Sequence, residues 1–402
     1  MENKNKFLQG ALCGALGMFL IMGAAALIWF FVFRPVTQPV EEADVVISEE
    51  TQQKIAKIEK LIEESYLYEE DVDSDALVEG ILGGYVEALN DPYSEYYDEK
   101  ATADMQESTQ GEYSGIGAVL SQNMETKIVT ITNVYDESPA EEAGIKSNDI
   151  LYKVNGEDIS GRNLTEVVSE IKGEEGTDVE ITILRGEKAE EVTVTATRRK
   201  VEAQTIEYEM KAGDIGYIRI TEFDAVTYDQ YEAALNDLEV QGMKGLIVDL
   251  RSNPGGNLGT VCDILDLMLP EGTIVYTEDK YGEQQKAVSD EEHQFNKPLV
   301  VLVNGYSASA SEIYAGAIQD YKLGQIVGTT TYGKGVVQQI FDLDDGTSVK
   351  LTISEYFTPE GRSINGTGII PDVEVKYEVN ADDEEADNQL DKGLEVVGSA
   401  IE

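Results

Sequence analysis

Three serines alternate along one short stretch of the chain, NGYSASASEI, from Asn304 to Ile313. The stretch follows an apolar run, KPLVVLV, and leads into a predicted helix at about 309–320. A serine at the first turn of a helix lies near the positive end of the helix dipole, which stabilises negative charge on an attacking oxygen. However, Ser309 followed by Glu312 also fits a capping box, which needs no catalysis. Taken alone, the stretch leaves a cap and a nucleophile open, and favours the cap.

A serine nucleophile needs a base, and the sequence offers two candidates. The single histidine, His293, lies in a charged loop, SDEEHQFNKP, without an aspartate placed to orient it, which argues against Ser-His-Asp chemistry. Lys334 lies between two glycines in GTTTYGKGVVQQI, and in an extended strand its side chain shares a face with Gln338. A lysine removed from water loses its proton near neutral pH and can act as a general base. A turn lysine beside a surface glutamine is the alternative.

A third loop, DLRSNPGGNLG, follows an apolar strand and precedes a helix. Gly255 and Gly256 expose backbone N–H groups there, as the oxyanion hole of an acyl-transfer enzyme requires. A simple strand-to-helix turn with an asparagine cap would explain the same residues.

All three loops lie in residues 200–378, where helices alternate with apolar strands. Continuous apolar runs such as GLIVDL and LVVLV are typical of strands in a sheet that helices cover on both faces. The sequence therefore predicts an α/β core for this segment. Residues 379–402 are acidic and predict a C-terminal helix.

Residues 103–199 predict a compact β-rich domain. Its order of strands and helices, with the SGIG loop, resembles a circularly permuted bacterial PDZ domain. Such domains add a C-terminal tail to a sheet edge and hold its carboxylate on loop amides. The resemblance implies a peptide site formed by the amides of Gly115, Ile116 and Gly117 and by the side chains of Val119, Val167 and Ile171. A tight turn at the two glycines is the alternative.

Residues 7–33 carry no charge and are long enough to span a bilayer. Lys4 and Lys6, in the short segment 1–6, hold the N-terminus in the cytoplasm, and few basic residues follow the apolar run. The sequence therefore predicts a single-pass anchor in the cell membrane, with the rest of the chain outside the cytoplasm. A cleaved signal peptide is the alternative, but its apolar region would be only about 7–15 residues long.

An acidic linker is predicted at 34–50 and a small helical region at 51–102. Across the chain, 78 acidic residues face 30 basic ones, for a net charge of −48, which argues against a nucleic-acid partner. Two cysteines and one histidine exclude a cysteine-based metal site and most zinc chemistry. We expect no metal and no cofactor.

From about residue 50 to its end, the chain resembles the carboxy-terminal processing, or tail-specific, serine peptidases. The ordered motifs are SGIG, DLRSNPGG, VLVNGYSASASEI, YGKGVVQ and TPEGRSINGTGIIPD. The resemblance implies Ser309 as nucleophile, Lys334 as general base and Gln338 as the residue that orients Lys334. It implies an oxyanion hole formed by the amide of Ala310 and one from the Pro-Gly-Gly turn. It also implies a homodimer that forms through the helical region.

The predicted architecture is thus a multidomain α/β protein: an α/β peptidase core with an inserted PDZ domain, an N-terminal helical region and a transmembrane anchor. The predicted function is a membrane-anchored Ser-Lys endopeptidase that cuts extracytoplasmic proteins near apolar C-terminal tails, which the PDZ domain recognises. A tethered PDZ adaptor that binds tails without cutting is the alternative, and it leaves Lys334 and Gln338 unexplained.

Overall fold

The computed structural model describes residues 47–186, 188–379, 383 and 386–401. The predicted cytoplasmic N-terminus, the predicted anchor and most of the linker lie outside these residues. Within the described ranges, no helix is both long enough and apolar enough to cross a membrane.

The chain divides into two compact units, residues 1–76 and 77–402. In the first unit, helix α1 (Glu49–Ser65) begins at Ser48, whose hydroxyl accepts the N–H of Thr51. A single 3₁₀ turn follows at Glu69–Asp71. Helix α2 (Ser74–Glu87) begins at the end of this unit, and none of its side chains is buried.

The second unit continues with strand β1 (Glu95–Tyr97) and helix α3 (Glu99–Gln110). The carboxylate of Asp98 caps the start of α3, and Gly111, with a φ of 69°, ends it in the left-handed conformation. The predicted boundary between the helical region and the PDZ domain, at 102/103, therefore falls inside one continuous helix. The first strand of the predicted PDZ domain, called the PDZ domain below, follows this helix.

The PDZ domain is an antiparallel sheet accompanied by two helices. Its elements are β2 (Glu112–Gly115), β3 (Ala118–Gln122), β4 (Val129–Val134), α4 (Pro139–Glu142), β5 (Ile150–Val154), β6 (Glu157–Asp158), α5 (Leu164–Ile171), β7 (Asp178–Arg185), β8 (Glu190–Thr197) and β9 (Arg199–Glu202). Five strands form a sheet in the order β3-β4-β5-β7-β8, with β6 paired to β5. Strands β2 and β9 pair where the chain enters and leaves the domain, and β9 begins at the predicted boundary, residue 199.

The predicted peptidase core, called the peptidase core below, contains a six-stranded sheet in the order β10-β11-β12-β15-β16-β19, parallel except for β10. Its strands are β10 (Ile206–Lys211), β11 (Ile215–Ile220), β12 (Gly245–Asp249), β15 (Leu299–Val303), β16 (Gln325–Gly328) and β19 (Val373–Glu374). All residues of β12 and β15 are buried, as their continuous apolar runs predicted.

Helices cover both faces of this sheet. On one face lie α6 (Thr227–Val240), α7 (Leu258–Asp266) and α8 (Ala310–Asp320), which share the larger hydrophobic core with the strands. On the other face, α9 (Asn388–Ile401) packs Val397 against a smaller apolar cluster. The predicted C-terminal helix is thus part of the core, because its apolar side covers a sheet face that would otherwise be exposed.

A second, antiparallel sheet has the order β1-β18-β13-β14, and β17 also pairs with β18. The strands that follow the PDZ domain in this sheet are β13 (Gly272–Asp279), β14 (Gln284–Ser289), β17 (Val336–Asp342) and β18 (Ser348–Phe357). Strand β1, from before the PDZ domain, places Glu95 opposite Lys350 of β18. The core is therefore built from chain on both sides of the PDZ domain, as an inserted domain requires.

Candidate active site

Ser309 lies at the turn between strand β15 and helix α8, with φ 55° and ψ −115°. This is a strained conformation for a residue with a side chain, and such strain is common at active sites. The flanking Ser307 and Ser311 are fully buried, and their hydroxyls donate to the carbonyls of Leu250 (2.7 Å) and Asn253 (3.0 Å). These bonds tie the turn to the loop that follows β12, so only the central serine faces the cleft.

Glu312 connects the serine turn to the lysine loop. Its buried carboxylate accepts the backbone N–H of Ser309 at 2.9 Å and that of Lys334 at 2.8 Å. It also accepts the hydroxyl of Thr331 at 2.6 Å and the N–H of Gly333 at 2.7 Å. The sequence predicted a cap at this glutamate, but not the bonds to residues 331–334, which are about twenty positions away along the chain.

The Pro-Gly-Gly turn lies directly against Ser309. A side chain at Gly255 would begin 2.7 Å from the Ser309 Cβ, so this close approach requires glycine. The N–H of Gly255 donates to Asn253 Oδ1 at 2.8 Å, which removes it from the predicted oxyanion hole. Within the described chain, the N–H groups of Gly256 and Ala310 donate to no protein acceptor, and both residues line the cleft. Of the three amides predicted for an oxyanion hole, those of Gly256 and Ala310 are therefore the unpaired ones among the described residues.

Lys334 precedes strand β17, and its half-buried side chain faces the same cleft. A side chain at Gly335 would begin 2.5 Å from the N–H of Asn365, so the TPEGRSINGTG loop packs closely beside the lysine. Burial lowers the pKa of Lys334, and the nearby Lys350 lowers it further, against the opposing carboxylates of Glu312 and Asp91. The environment thus favours the neutral amine that a general base needs.

The segment that precedes β1 contributes to the surroundings of Lys334. The ring of Tyr93 lies under the amine, 4.8 Å from its nitrogen. Ser94 donates to Asp91 at 2.5 Å and accepts the N–H of Thr352 at 3.1 Å. The sequence identified Asp91 and Pro92 only as a helix stop. The polar and aromatic residues around that stop were the available signal.

Gln338 lies close to the lysine but does not bind it. Its carboxamide donates to the Thr352 hydroxyl at 3.1 Å, and no hydrogen bond to Lys334 is formed within the described chain. The predicted alternation assumed a regular strand from Lys334 onwards, whereas β17 begins at Val336. In addition, the pairing of β17 with β18 shifts at Gln338, where Ile353 is an extra residue in β18. Gln338 therefore holds Thr352 in this structure.

These groups surround one cleft of about 570 Å³. It is lined by Ser309, Lys334, Gln338, Gly256 and Ala310. Among the described residues, no hydrogen bond joins the Ser309 hydroxyl to the Lys334 amine. The cleft thus brings together a serine, a partly desolvated lysine and two free amides, which are the components of acyl transfer.

His293 does not line this cleft. It lies with Asp290 and Glu292 in an exposed group whose potential ligand atoms are within 4.8 Å of one another. In the described part of the chain, this is the one group of three or more such side chains that could hold a metal ion. Its exposure and its position outside the cleft give it no role in the chemistry.

The PDZ domain carries a second, smaller groove of about 110 Å³. Gly115, Ile116, Gly117 and Ile171 line it, where the sequence placed them. The other two predicted residues do not line it. Leu120 takes the predicted place of Val119, and Val168 that of Val167.

The geometry of β3 and α5 explains both differences. Val119 lies on the outer face of β3 and is 38% exposed, because β3 alternates regularly and turns Ala118, Leu120 and Gln122 to the opposite face. Val167 is fully buried in the PDZ core, since the apolar face of α5 turns it inward and leaves the groove to its neighbour. Strand β3 pairs only with β4, so its other edge is open to an added strand.

Three family models match the chain. Peptidase family S41 covers residues 214–375, the PDZ domain covers 130–185, and the model described as the activating protease CtpB N-terminal domain covers 4–101. The first model contains Gly256, Ser309 and Lys334.

Whole-chain relatives agree with these models. A carboxy-terminal-processing protease of Bartonella bacilliformis is 36% identical over 313 residues, which are 76% of this chain and 70% of that protein. The carboxy-terminal processing protease CtpA of Bacillus subtilis is 36% identical over 310 residues, which are 77% of this chain and 66% of that protein. A crystal structure from Bacteroides fragilis, assigned to the S41 proteases, has a TM-score of 0.52 at 18% identity. It covers 79% of this chain and 90% of its own, and shows the shared fold.

Proposed function

The chain belongs to the carboxy-terminal processing serine peptidases of family S41, and on this basis we propose that Ser309 and Lys334 are its catalytic pair. In the proposed reaction, the Ser309 hydroxyl attacks a peptide carbonyl while the Lys334 amine takes its proton. The new C–O bond forms as the carbonyl π bond opens, and the resulting oxyanion accepts hydrogen bonds from the N–H groups of Gly256 and Ala310. The protonated lysine then gives its proton to the leaving amine, and the C–N bond breaks.

Water completes the cycle: Lys334 takes a proton from the water as it attacks the acyl-enzyme, the ester C–O bond to Ser309 breaks, and the protonated lysine returns the proton to the Ser309 oxygen. The single observation that carries this mechanism is the shared cleft. It places a strained serine, a lysine of lowered pKa and two unpaired amides together, although these groups come from three separate loops. A PDZ adaptor without peptidase activity would need none of these features.

We also propose that the PDZ groove captures the C-terminal tail of the protein substrate. Its glycine loop supplies backbone amides for the terminal carboxylate, and Ile171 and Val168 provide an apolar wall for the last side chains. Cleavage near an apolar C-terminus follows, because the captured tail delivers the nearby peptide bonds to the enzyme. Gln338 would orient Lys334 once the substrate has entered.

The proposed location is the cell membrane, with the catalytic part outside the cytoplasm. What supports it is the uncharged run at 7–33, preceded by Lys4 and Lys6 and followed by acidic residues. Protease protection in intact cells would test it. Digestion of the catalytic part only after cell lysis would contradict the proposed orientation.

A homodimer formed through the helical region is part of the same proposal. Helix α2 supports it by exposing several large side chains: Leu77, Val78, Ile81, Leu82 and Tyr85. Contiguous exposed apolar surface of this kind marks interaction sites. Light scattering of the wild-type chain and of Leu82→Glu would test it, since a charge in the interface should yield monomers.

The test of catalysis uses the purified full chain and a protein with an apolar C-terminal tail. We expect Ser309→Ala and Lys334→Ala each to abolish cleavage without loss of the fold, whereas Lys376→Ala, at an exposed lysine outside the cleft, should cleave at the wild-type rate. Mass spectrometry of the products measures cleavage, and circular dichroism measures whether the fold is retained. Full activity in either active-site variant would refute the assignment. Tail binding without cleavage by the wild type would favour the adaptor.

A further inference from the structure

Two carboxylates lie in the catalytic cleft that the proposed mechanism does not use. Glu222 and Asp224 follow strand β11, and both line the cleft beside Gly256 and Asn257. They flank Phe223, which is fully buried. The pair therefore sits on the side of the cleft formed by the oxyanion turn.

Neither carboxylate has a partner within the described chain. No hydrogen bond or ion pair reaches the side chain of Glu222 or Asp224, although Asp224 is only 6% exposed. Asp224 does not act as a helix cap either, because its N–H donates to the Thr227 hydroxyl at 2.9 Å and its side chain caps nothing. A buried carboxylate without a partner is costly, so a structural role does not explain it.

The surroundings make negative charge at this corner costly. Helix α3 ends against it, since a side chain at Gly111 would begin 3.3 Å from an Asp224 carboxylate oxygen. A helix C-terminus carries partial negative charge. Burial, and then Glu222, raise the pKa of Asp224 to about 7, and neither Lys334 nor Lys350 offsets this. In the part of the chain that the structure describes, no lysine or arginine pairs with either carboxylate of this corner.

The corner is also close to the reacting bond. Phe223 donates its N–H to the carbonyl of Gly255 at 2.9 Å and accepts the N–H of Asn257 at 2.6 Å. The two carboxylates are therefore one residue from a backbone that pairs with the oxyanion turn. A substrate chain held at Gly256 would pass beside them.

We propose that Glu222 and Asp224 form a subsite for the side chain of a lysine or arginine close to the scissile bond. The inference rests on the proposed peptidase function and adds a substrate preference to it. The apolar neighbours Met105 and Leu258 suit the aliphatic stem of such a side chain, while its charged end meets the carboxylates. A divalent metal such as calcium takes about 6–8 oxygen ligands and fits this half-apolar corner poorly.

The test compares peptide pairs that share one apolar tail and carry either lysine or glutamine at each position around the cleaved bond. Cleavage is measured with EDTA present, using the full chain, the double variant Glu222→Gln/Asp224→Asn and Glu222→Gln alone. We expect the wild type to prefer lysine at one position by about tenfold in kcat/KM, equivalent to about 1.4 kcal/mol. That ratio should fall towards about one in the double variant and partly in the single variant. The control, Asp229→Asn, removes an exposed aspartate outside the cleft and should keep the wild-type ratio.

Binding separates failure of this subsite from failure of the proposed function. In the Ser309→Ala background, anisotropy measures the affinity of each labelled peptide without cleavage. The contribution of the PDZ groove is the same for both members of a pair, so it cancels in their ratio. A lysine preference in binding that the double variant loses supports the subsite, even if the wild type cuts nothing. Three results would each overturn the subsite. The first is no lysine preference at any position, and the second is a preference that the double variant retains. The third is a preference that appears only when calcium replaces EDTA.

Discussion

Glu312 shows how one buried residue can assemble a site from distant segments. A carboxylate has about four lone-pair directions, and four donors occupy those of Glu312. Charge-assisted bonds of this kind are stronger than neutral ones. They hold Ser309 in its strained conformation, which would otherwise cost about 1–3 kcal/mol, and they fix the backbone of Lys334 beside it.

Replacement of Glu312 by glutamine should therefore damage both stability and catalysis. The carboxamide NH₂ would face two of the four donors, and buried donors without acceptors cost about 1–3 kcal/mol each. We expect Glu312→Gln to lose about 2–4 kcal/mol in free energy of unfolding and at least about a hundredfold in kcat. Urea denaturation and peptide cleavage measure the two effects. The exposed Glu355→Gln on β18 is the matched control, and equal behaviour of the two variants would contradict the role given to Glu312.

Replacement of Asp224, unlike that of Glu312, should raise the free energy of unfolding. Its pKa is about 7 in the fold and 3.8 as its ordinary value, so between these values the folded state holds a proton that the unfolded state has released. The free energy of unfolding therefore falls as pH rises through this window. Apart from Glu222, the cleft-lining residues beside it on α3 and α7 (Ser108, Thr109, Asn257 and Leu258) are uncharged.

Asp224→Asn should remove this penalty. We expect the variant to be more stable than the wild type by about 2 kcal/mol at pH 8, roughly half of the full shift at about 1.4 kcal/mol per pKa unit. The difference should shrink towards pH 5. Urea denaturation at the two pH values measures it, and the exposed Asp229→Asn should show no such trend. A destabilised variant at pH 8 would mean that Asp224 has a partner in the fold.

At the level of elements, the sequence predicted most of the helices and strands that apolar periodicity and cap or turn residues can reveal. The buried strands β12 and β15, the helices around Ser309 and the C-terminal helix all follow from apolar patterns and caps. The PDZ domain and its glycine loop followed from the order of elements. These features are local in sequence, so a local pattern suffices to find them.

What the sequence missed depends on contacts between distant segments or on irregular pairing. The groove is lined by Leu120 and Val168 instead of Val119 and Val167. Gln338 bonds to Thr352 where the pairing of β17 with β18 shifts. No residue pattern announces either feature. The hydrogen bond from the Gly255 N–H to the Asn253 side chain leaves the amide of Gly256, and not that of Gly255, unpaired. Tyr93 meets Lys334 only through the pairing of β1 with β18. Such relations become visible only when the fold brings the segments together.

Substitutions at the groove of the PDZ domain test directly which side chains line it. Val168 lines the groove, whereas Val119, the same residue type, lies outside it and is 38% exposed. We expect Val168→Ser to weaken binding of an apolar-tailed peptide by about tenfold, because it removes roughly 1–2 kcal/mol of apolar contact. Val119→Ser should leave the affinity unchanged. Fluorescence anisotropy in the Ser309→Ala background measures both, and the reverse ranking would restore the original prediction.

At the scale of the whole molecule, the net charge of −48 acts on the fold itself. Like charges repel across the compact state, and salt screens them over about 10 Å at 0.1 M. We expect the thermal midpoint to rise by about 5 °C when sodium chloride increases from 20 to 300 mM. Scanning calorimetry measures this rise. A midpoint that falls with salt would mean that attractive ion pairs outweigh the general repulsion.

The pairing of β1 with β18 also sets the order in which the protein can become active while a ribosome makes it. All pairing partners of the PDZ strands lie between residues 112 and 202, so this domain can fold as soon as that segment has emerged. Tyr93 must wait for Lys334, and Ser94 for Thr352, and both partners are synthesised more than 200 residues later. A nascent chain can therefore complete the groove of the PDZ domain well before the groups around Lys334 come together. The two sites of the molecule are thus separated in time during synthesis, although they belong to one unit of the finished fold.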